Sequence, residues 1–365
     1  LKILYIYADP AQGANCSLHN AIFPAEAINK TGKHTADCIH INEFITNSPI
    51  SQELCMNADI IIIERNLFDD TLSYMQFWKV RNKNLAIIFD DAYHLIEPEN
   101  ASHYFWAKGL EQKGTTPDGR IMLGPKEPPA MKQFKWGLKI AKGIITPSRI
   151  LSSDWDEYGP TYVTKNYLKL DRYENKEPLF PHSKDEIFIG WSGSMSHFES
   201  FTNSGIAPAL TYILKTYPQV KLLLTGDRKV YNRINISNDR KKFADYVPEE
   251  DWSRLVASYD IGLCPLATEF DRRRSWIKAL EYMVMKVPWL GTNMETYEEL
   301  GEYGTLVKNG LDNWKQAMSY AIENIEEKRE LANGKAYEFA LTQSWDANID
   351  KLLTIFEEIV RSQYQ

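Results

Sequence analysis

Between Pro265 and Thr292 the chain concentrates residue types that can handle phosphate and sugar hydroxyls: Pro-Leu-Ala-Thr-Glu-Phe-Asp-Arg-Arg-Arg-Ser-Trp-Ile-Lys-Ala-Leu-Glu-Tyr-Met, then Val287-Pro288-Trp289-Leu290-Gly291-Thr292. Lys278 and Glu281 are three residues apart, so on a helix starting near Ser275 they share a face. Arg274 sits one turn before Lys278, at the helix entrance. Two cations and the free amides of a helix N-terminus around one point are what a diphosphate needs. Deeper in the helix, Glu281 offers two acceptor oxygens to the paired hydroxyls of a ribose. The competing reading is a solvated basic face whose Lys278–Glu281 pair contributes about 0.2–0.5 kcal/mol. Spacing alone does not separate the two.

A second constellation is Ile189-Gly190-Trp191-Ser192-Gly193-Ser194-Met195-Ser196-His197, about eighty residues earlier. Small residues at a strand end let backbone amides come close to a phosphate, which singles out Gly193 and Ser194. His197 could donate to a phosphate or to a sugar, although a loop histidine is more often plain surface. Pro265 and Leu266 are candidate neighbours for a stacked base. Arg228, after Leu224-Thr225-Gly226-Asp227, could reach phosphates, but a surface charge is the simpler reading.

In the N-terminal half, Phe89-Asp90-Asp91-Ala92-Tyr93-His94 follows an apolar run. Asp91 and His94 could orient and deprotonate a hydroxyl. A helix N-cap by Asp91 is the structural alternative, and Asp69-Asp70 is read as capping outright. Lys132, Lys135, Lys139 and Lys142, with Phe134, Trp136, Leu138 and Ile140 between them, form a basic stripe. It could meet anionic lipid, but the solvated face of a packed helix is favoured.

These residues need a scaffold, and the chain supplies two. At 365 residues it suits two α/β domains better than one. Strand-like runs Ile3–Tyr7, Asp59–Ile63, Leu85–Phe89 and Ala141–Thr146 alternate with helical segments, including one over 24–31 that opens on Pro24 and stops at Gly32. A polar, proline-punctuated stretch follows. The alternation then restarts with strands at 187–191, 220–225, 259–265, 287–292 and 305–307, and helices at 206–217, 252–258 and 275–285. Long polar helices over about 312–332 and 344–361 close the chain. The expected fold class is α/β, with two Rossmann-like doubly wound units. The expected division is 1–168, a linker 169–185, 186–343, and a C-terminal helix 344–365 packing back on the first domain.

Net charge of −7 provides no general attraction to nucleic acid. Cys16, Cys38, Cys55 and Cys264 are scattered without ligand spacing, which points away from disulfides and structural zinc and toward a cytoplasmic setting. No apolar run reaches the length of a membrane span, and the start lacks a signal-peptide pattern. Only Gly13 follows the first strand, so a dinucleotide fingerprint is absent.

The 265–292 segment resembles the donor signature of family 4-like GT-B glycosyltransferases (group 1), in which a basic turn leads into a Lys-x-x-Glu-Tyr helix, then a proline and a strand. The 189–197 loop is similar to the Gly-Trp-x-Gly-x-x-x-His loop of the same group. The resemblance is carried by residues 186–300. It implies two Rossmann-like domains facing across a cleft, ribose bound by Glu281, and diphosphate bound by Lys278, Arg274 and the Gly193–Ser194 loop. It further implies transfer from an NDP-sugar, with no cofactor or metal and with retention of configuration, to a saccharide or other hydroxyl acceptor. One departure stands out. The Glu-x7-Glu pattern of many members places an acid at the donor sugar, yet the residue eight before Glu281 is Arg273. A nucleotide-sugar epimerase and a non-catalytic nucleotide- or sugar-binding scaffold are the alternatives.

Overall fold

The computed structural model describes residues 1–10, 16–100, 102–245 and 247–362. Two compact units divide the chain. The first takes the described residues up to Asn166 together with the chain from Trp345 onward, and the second takes Tyr167–Ser344.

The first unit is a six-stranded sheet of order β2-β1-β3-β4-β7-β8, formed by β1 (Lys2–Tyr7), β2 (Thr35–His40), β3 (Ile60–Glu64), β4 (Asn84–Ile88), β7 (Gly143–Thr146) and β8 (Thr161–Val163). Every pairing is parallel. Ile60 to Ile63 have no exposed surface, because helices cover both faces of the sheet. The helix Phe23–Lys30 carries a proline in its first turn and stops before Gly32, whose φ of +66° suits glycine. A separate antiparallel hairpin, β5 (Leu110–Thr115) with β6 (Ile121–Pro125), has no counterpart in the sequence expectations. The last helix, Trp345–Arg361, buries Leu352, Phe356 and Ile359 and packs on the Phe23–Lys30 helix and β4. Gly13, the single glycine after the first strand, lies outside the described residues.

The second unit has strand order β11-β10-β9-β12-β13-β14. Its strands are β9 (Ile187–Gly193), β10 (Val220–Gly226), β11 (Lys241–Ala244), β12 (Ile261–Cys264), β13 (Trp289–Thr292) and β14 (Thr305–Val307), all parallel. Ile189, Trp191, Leu222, Leu224, Leu263 and Trp314 belong to one core, which also takes in the Ile206–Thr216 and Leu311–Glu323 helices. The expected long helix over 312–332 breaks at Asn324, and a second helix, Ile325–Leu331, follows.

Both units are therefore Rossmann-like. Successive connections leave in opposite directions from β9, toward β10 on one side and β12 on the other. The crevice beyond the C-terminal ends of those strands is the usual ligand position in open α/β sheets. In the first unit the corresponding point lies between β1 and β3. Among the described residues no helix is long and apolar enough to cross a membrane.

Candidate functional site

The floor of the second unit's crevice is two glycines. Gly193 ends β9, Gly226 ends β10, and the two are in register. Gly226 has φ +104°, and a Cβ there would lie 2.1 Å from the Gly193 carbonyl oxygen, so only glycine fits. The Asp227 N–H then donates to that same oxygen at 2.9 Å. A Cβ on Gly193 would meet the Trp191 ring at 2.4 Å and His197 Cβ at 3.0 Å. The chain turns from there through exposed Ser194, whose Oγ is 3.0 Å from Ser196 Oγ, into a short 3-10 turn at Met195–His197.

Both proposed diphosphate cations are held against this loop. The Lys278 ammonium donates to the Ser192 carbonyl, and Arg274 Nη2 donates to the Ser196 carbonyl at 2.5 Å. Burial, with the Arg274 charge adding to it, pulls Lys278 down to about 8, while Cys264, Glu281 and Asp271 act the other way. His197 is held well below the usual histidine range by burial and then by Arg274 and Lys278, so at neutral pH it is an uncharged imidazole. The structure therefore gathers Gly193, Ser194, His197, Arg274 and Lys278 around one loop.

Arg274 is aimed by a residue that no sequence motif singles out. Asp271 has no exposed surface. Its Oδ1 accepts from Arg274 Nε (2.9 Å) and Ser200 Oγ (2.8 Å), and its Oδ2 from the N–H groups of Ala267 (2.8 Å) and Thr268 (3.1 Å). One carboxylate thus folds the 267–274 loop and fixes the guanidinium. Arg273, in the place of the missing first glutamate, is tied to Glu269 through the side chain (2.9 Å) and the carbonyl (2.8 Å). Pro265 and Leu266 are buried, and the Leu266 backbone is pinned by Thr292 and Asn309. They shape the corner and offer no face for a stacked base. Arg228 pairs with Asp245 and lies over Phe243, which agrees with its reading as a surface charge.

Glu281 lies one turn beyond Lys278 on the Ile277–Val284 helix and is buried. Its Oε1 accepts from Tyr173 Oη (2.7 Å) and Trp252 Nε1 (2.9 Å), with Arg172 Nη1 at 3.5 Å. Arg172 is in turn gripped by Glu249, with Nη2 at 2.6 Å. No motif marks Arg172, Tyr173 or Trp252. Tyr173 belongs to a 3-10 turn, Leu170–Tyr173, inside the stretch expected to be a bare linker.

In the first unit, the β1/β3 crevice collects charge. Glu64 is buried at the end of β3 and accepts from the Ala8 N–H (2.8 Å), Ser17 Oγ and Asn20 Nδ2 (3.3 Å). Arg65, at φ +32°, reaches Asp9 and Glu64. Asp90 is pushed up to about 7, first by burial and then by Asp91, against the pull of Arg65. Among the described residues, its Oδ1 and the Tyr93 hydroxyl have no hydrogen-bond partner, and both are buried. Asp91 lies within electrostatic reach of Asp90 and Tyr93, and the following 3-10 turn (Tyr93–Leu95) begins at Ala92, so Asp91 is not its cap. His94 Nε2 faces Asp154 Oδ2 at 3.3 Å, its ring edge-on to Trp155.

Two readings outside the site are refined. Asp69 occupies the N-cap position of the Asp70–Lys79 helix without a side-chain cap bond, its carboxylate taken instead by Lys126 at 2.6 Å. Lys142 leaves the basic stripe: it is buried, donating to Asn84 Oδ1 (2.9 Å) and the Ser362 carbonyl. Lys132, Lys135 and Lys139 remain outward beside Trp136 and Tyr158, while Phe134 and Leu138 face the core. Among the described residues no group of three or more His, Cys, Asp or Glu has the placement to hold a metal ion.

Residues 189–324 match the family model for glycosyl transferases group 1. The chain is similar in structure to sucrose-phosphate synthase from Thermosynechococcus elongatus, with a TM-score of 0.62, 13% identity and 98% of each chain covered. It is similar to HepE of Anabaena, solved with UDP and glucose, at TM-score 0.60 and 13% identity, over 98% of this chain and 99% of that one. It is also similar to a UDP-GlcNAc 2-epimerase from Neisseria meningitidis, solved with UDP-GlcNAc, at TM-score 0.52 and 12% identity, over 98% of this chain and all of that one, 100%. No curated protein matches it in sequence. At these identities the structural likeness is one of fold, the GT-B fold.

Proposed function

We propose that this chain, which carries a group 1 glycosyltransferase domain on a GT-B fold, moves a glycosyl group from a nucleoside-diphosphate sugar to a hydroxyl acceptor. The observation that carries the reading is the pairing of Lys278 and Arg274 with the carbonyls of the Gly193 loop, while Glu281 stands one turn further along the same helix. In the reaction the bond between the anomeric carbon and the diphosphate oxygen breaks, and its electron pair leaves with the diphosphate. Lys278, Arg274 and the amides around Gly193 and Ser194 meet the charge that develops there. That set replaces a metal ion. Neutral His197 serves the sugar or the phosphate as a hydrogen-bond partner. Glu281 holds the ribose.

Asp91 and His94 of the first unit serve the acceptor: its oxygen forms the new bond to the anomeric carbon, and its proton passes to a carboxylate. A retained configuration, a saccharide acceptor, a cytoplasmic setting and independence from nucleic acid and added cofactor complete the reading. The four free cysteines agree with a reducing compartment.

The deciding measurement is calorimetric and thermal-shift binding of UDP, GDP, ADP and dTDP to wild type and Glu281→Ala, without metal. One nucleotide binding in a Glu281-dependent way supports the reading; binding of none overturns it. Because an epimerase shares this fold, the matching nucleotide sugar is then incubated without acceptor. Interconversion of the sugar would assign the epimerase activity instead, whereas acceptor-dependent release of the nucleotide assigns transfer.

A further inference from the structure

The carboxylate of Glu281 is used asymmetrically. Tyr173 Oη, Trp252 Nε1 and Arg172 Nη1 all converge on Oε1, while Oε2 accepts no hydrogen bond from any described residue. Tyr173 and Glu281 are 2% and 6% exposed, so these bonds form away from competing water. The two close donors are neutral and sit on rigid rings, which fixes both the position of Oε1 and the plane of the carboxylate. Arg172 adds the one cation of the group, and its own fork is largely taken by Glu249 at 2.5 and 2.6 Å. A salt bridge merely neutralising Glu281 would bring the guanidinium to both oxygens, as a bidentate pair does. Here the cation stands off at 3.5 Å and one oxygen is kept open.

The donors come from separate segments, the 3-10 turn Leu170–Tyr173 and the helix Trp252–Val256. Neither belongs to the motif that carries Glu281.

We propose that Tyr173 and Trp252 are positioning residues that aim the open Oε2 of Glu281 at the nucleotide's ribose hydroxyls, and thereby set selectivity for ribo- over 2′-deoxyribonucleotides. The inference rests on Glu281 being the ribose acceptor. A hydroxyl–carboxylate bond counts only when the oxygen is already in place, because a carboxylate free to rotate must be ordered by the ligand at a cost in affinity. Removing one tether, Tyr173→Phe, keeps the packing and deletes a single donor.

The test is calorimetry with three probes: UDP (with GDP in parallel, to cover the base), the matching 2′-deoxynucleotide, and inorganic pyrophosphate. Wild type is expected to prefer the ribonucleotide by about tenfold, the worth of one charged hydrogen bond. Tyr173→Phe and Trp252→Phe are expected to shrink that preference to about twofold while pyrophosphate binds as in wild type. An undiminished preference in both variants overturns the proposal. Equal loss of pyrophosphate and nucleotide in both also overturns it, since that marks a general scaffold role. If wild type binds pyrophosphate but shows no ribose preference, Glu281 is not the ribose acceptor and the proposal falls. If wild type binds none of the probes, the donor-site reading itself fails.

Discussion

Lys278 Nζ donates to the carbonyl oxygen of Ser192, one residue before the glycine that ends β9. The contact spans 86 residues of sequence and parks a cation over the mouth of the crevice. It also makes the charge on that cation depend on pH, because burial leaves Lys278 titrating near 8.

Diphosphate binding is expected to weaken as pH rises through about 8. An arriving dianion stabilises the charged ammonium, so the bound complex keeps its proton to higher pH than the free protein does. Below 8 the proton is already present, so Lys278 adds no pH dependence there beyond the ligand's own titration. Above 8 each bound diphosphate must take one up, and the dissociation constant of pyrophosphate should rise by up to about tenfold per pH unit. Calorimetry between pH 6.5 and 9.5 reads this. Lys278→Arg, charged throughout, should remove the lysine's share of the slope and leave only the ligand's own titration.

Asp271→Asn is expected to cost about 3–5 kcal/mol of stability in the second unit. An amide cannot accept on both sides: its NH2 would face either the Ala267 and Thr268 N–H groups or Arg274 and Ser200. Urea denaturation measures the loss. Nucleotide affinity should fall with it under conditions where the variant is still folded, because Arg274 loses its anchor.

Two glycines with positive φ should respond differently to alanine. Gly226→Ala places a Cβ against the Gly193 backbone, which cannot yield without opening the β9/β10 ends, so more than about 3 kcal/mol should be lost. Gly32 has open space around it, and alanine there should cost only about 1 kcal/mol for the left-handed conformation. Thermal melts of the two variants test the contrast. Comparable losses would mean that the close approach of Gly193 and Gly226 is not rigid.

Asp90 gives a pH effect of known sign. Its carboxyl titrates near 7 in the folded protein and near the usual carboxylate value when unfolded. The folded state therefore binds the extra proton between about 4 and 7, and this residue's contribution to stability declines as pH rises through that window. Asp90→Asn should be more stable than wild type above pH 7 and lose that advantage toward pH 4. Urea midpoints at pH 5 and pH 8 give the comparison; an advantage that grows toward acid would contradict the assignment.

How far the sequence reaches is visible in individual residues. Apolar runs such as Ile60–Ile63, short and β-branched, read as strands covered on both faces, and their alternation with helical segments points to two Rossmann-like units. The Lys278–Glu281 spacing, read on a helix, already places a cation and an acceptor on one face. The hairpin β5/β6 escaped because its residues are largely exposed and carry little hydrophobic periodicity.

What only the tertiary structure decided is which partner each polar group takes. Asp271 reads as one acid among several until four donors are seen to converge on it. Tyr173 lies in a polar stretch with no motif, 108 residues from the carboxylate it holds. Local propensity and periodicity act over a few residues and so leave their mark in sequence, whereas a buried hydrogen bond depends on donors that the folded backbone brings together from distant segments. The elements were therefore determined locally. The aim of Glu281, the anchoring of Arg274 and the shifted titration of Lys278 and Asp90 follow from burial, which exists only once those elements have packed.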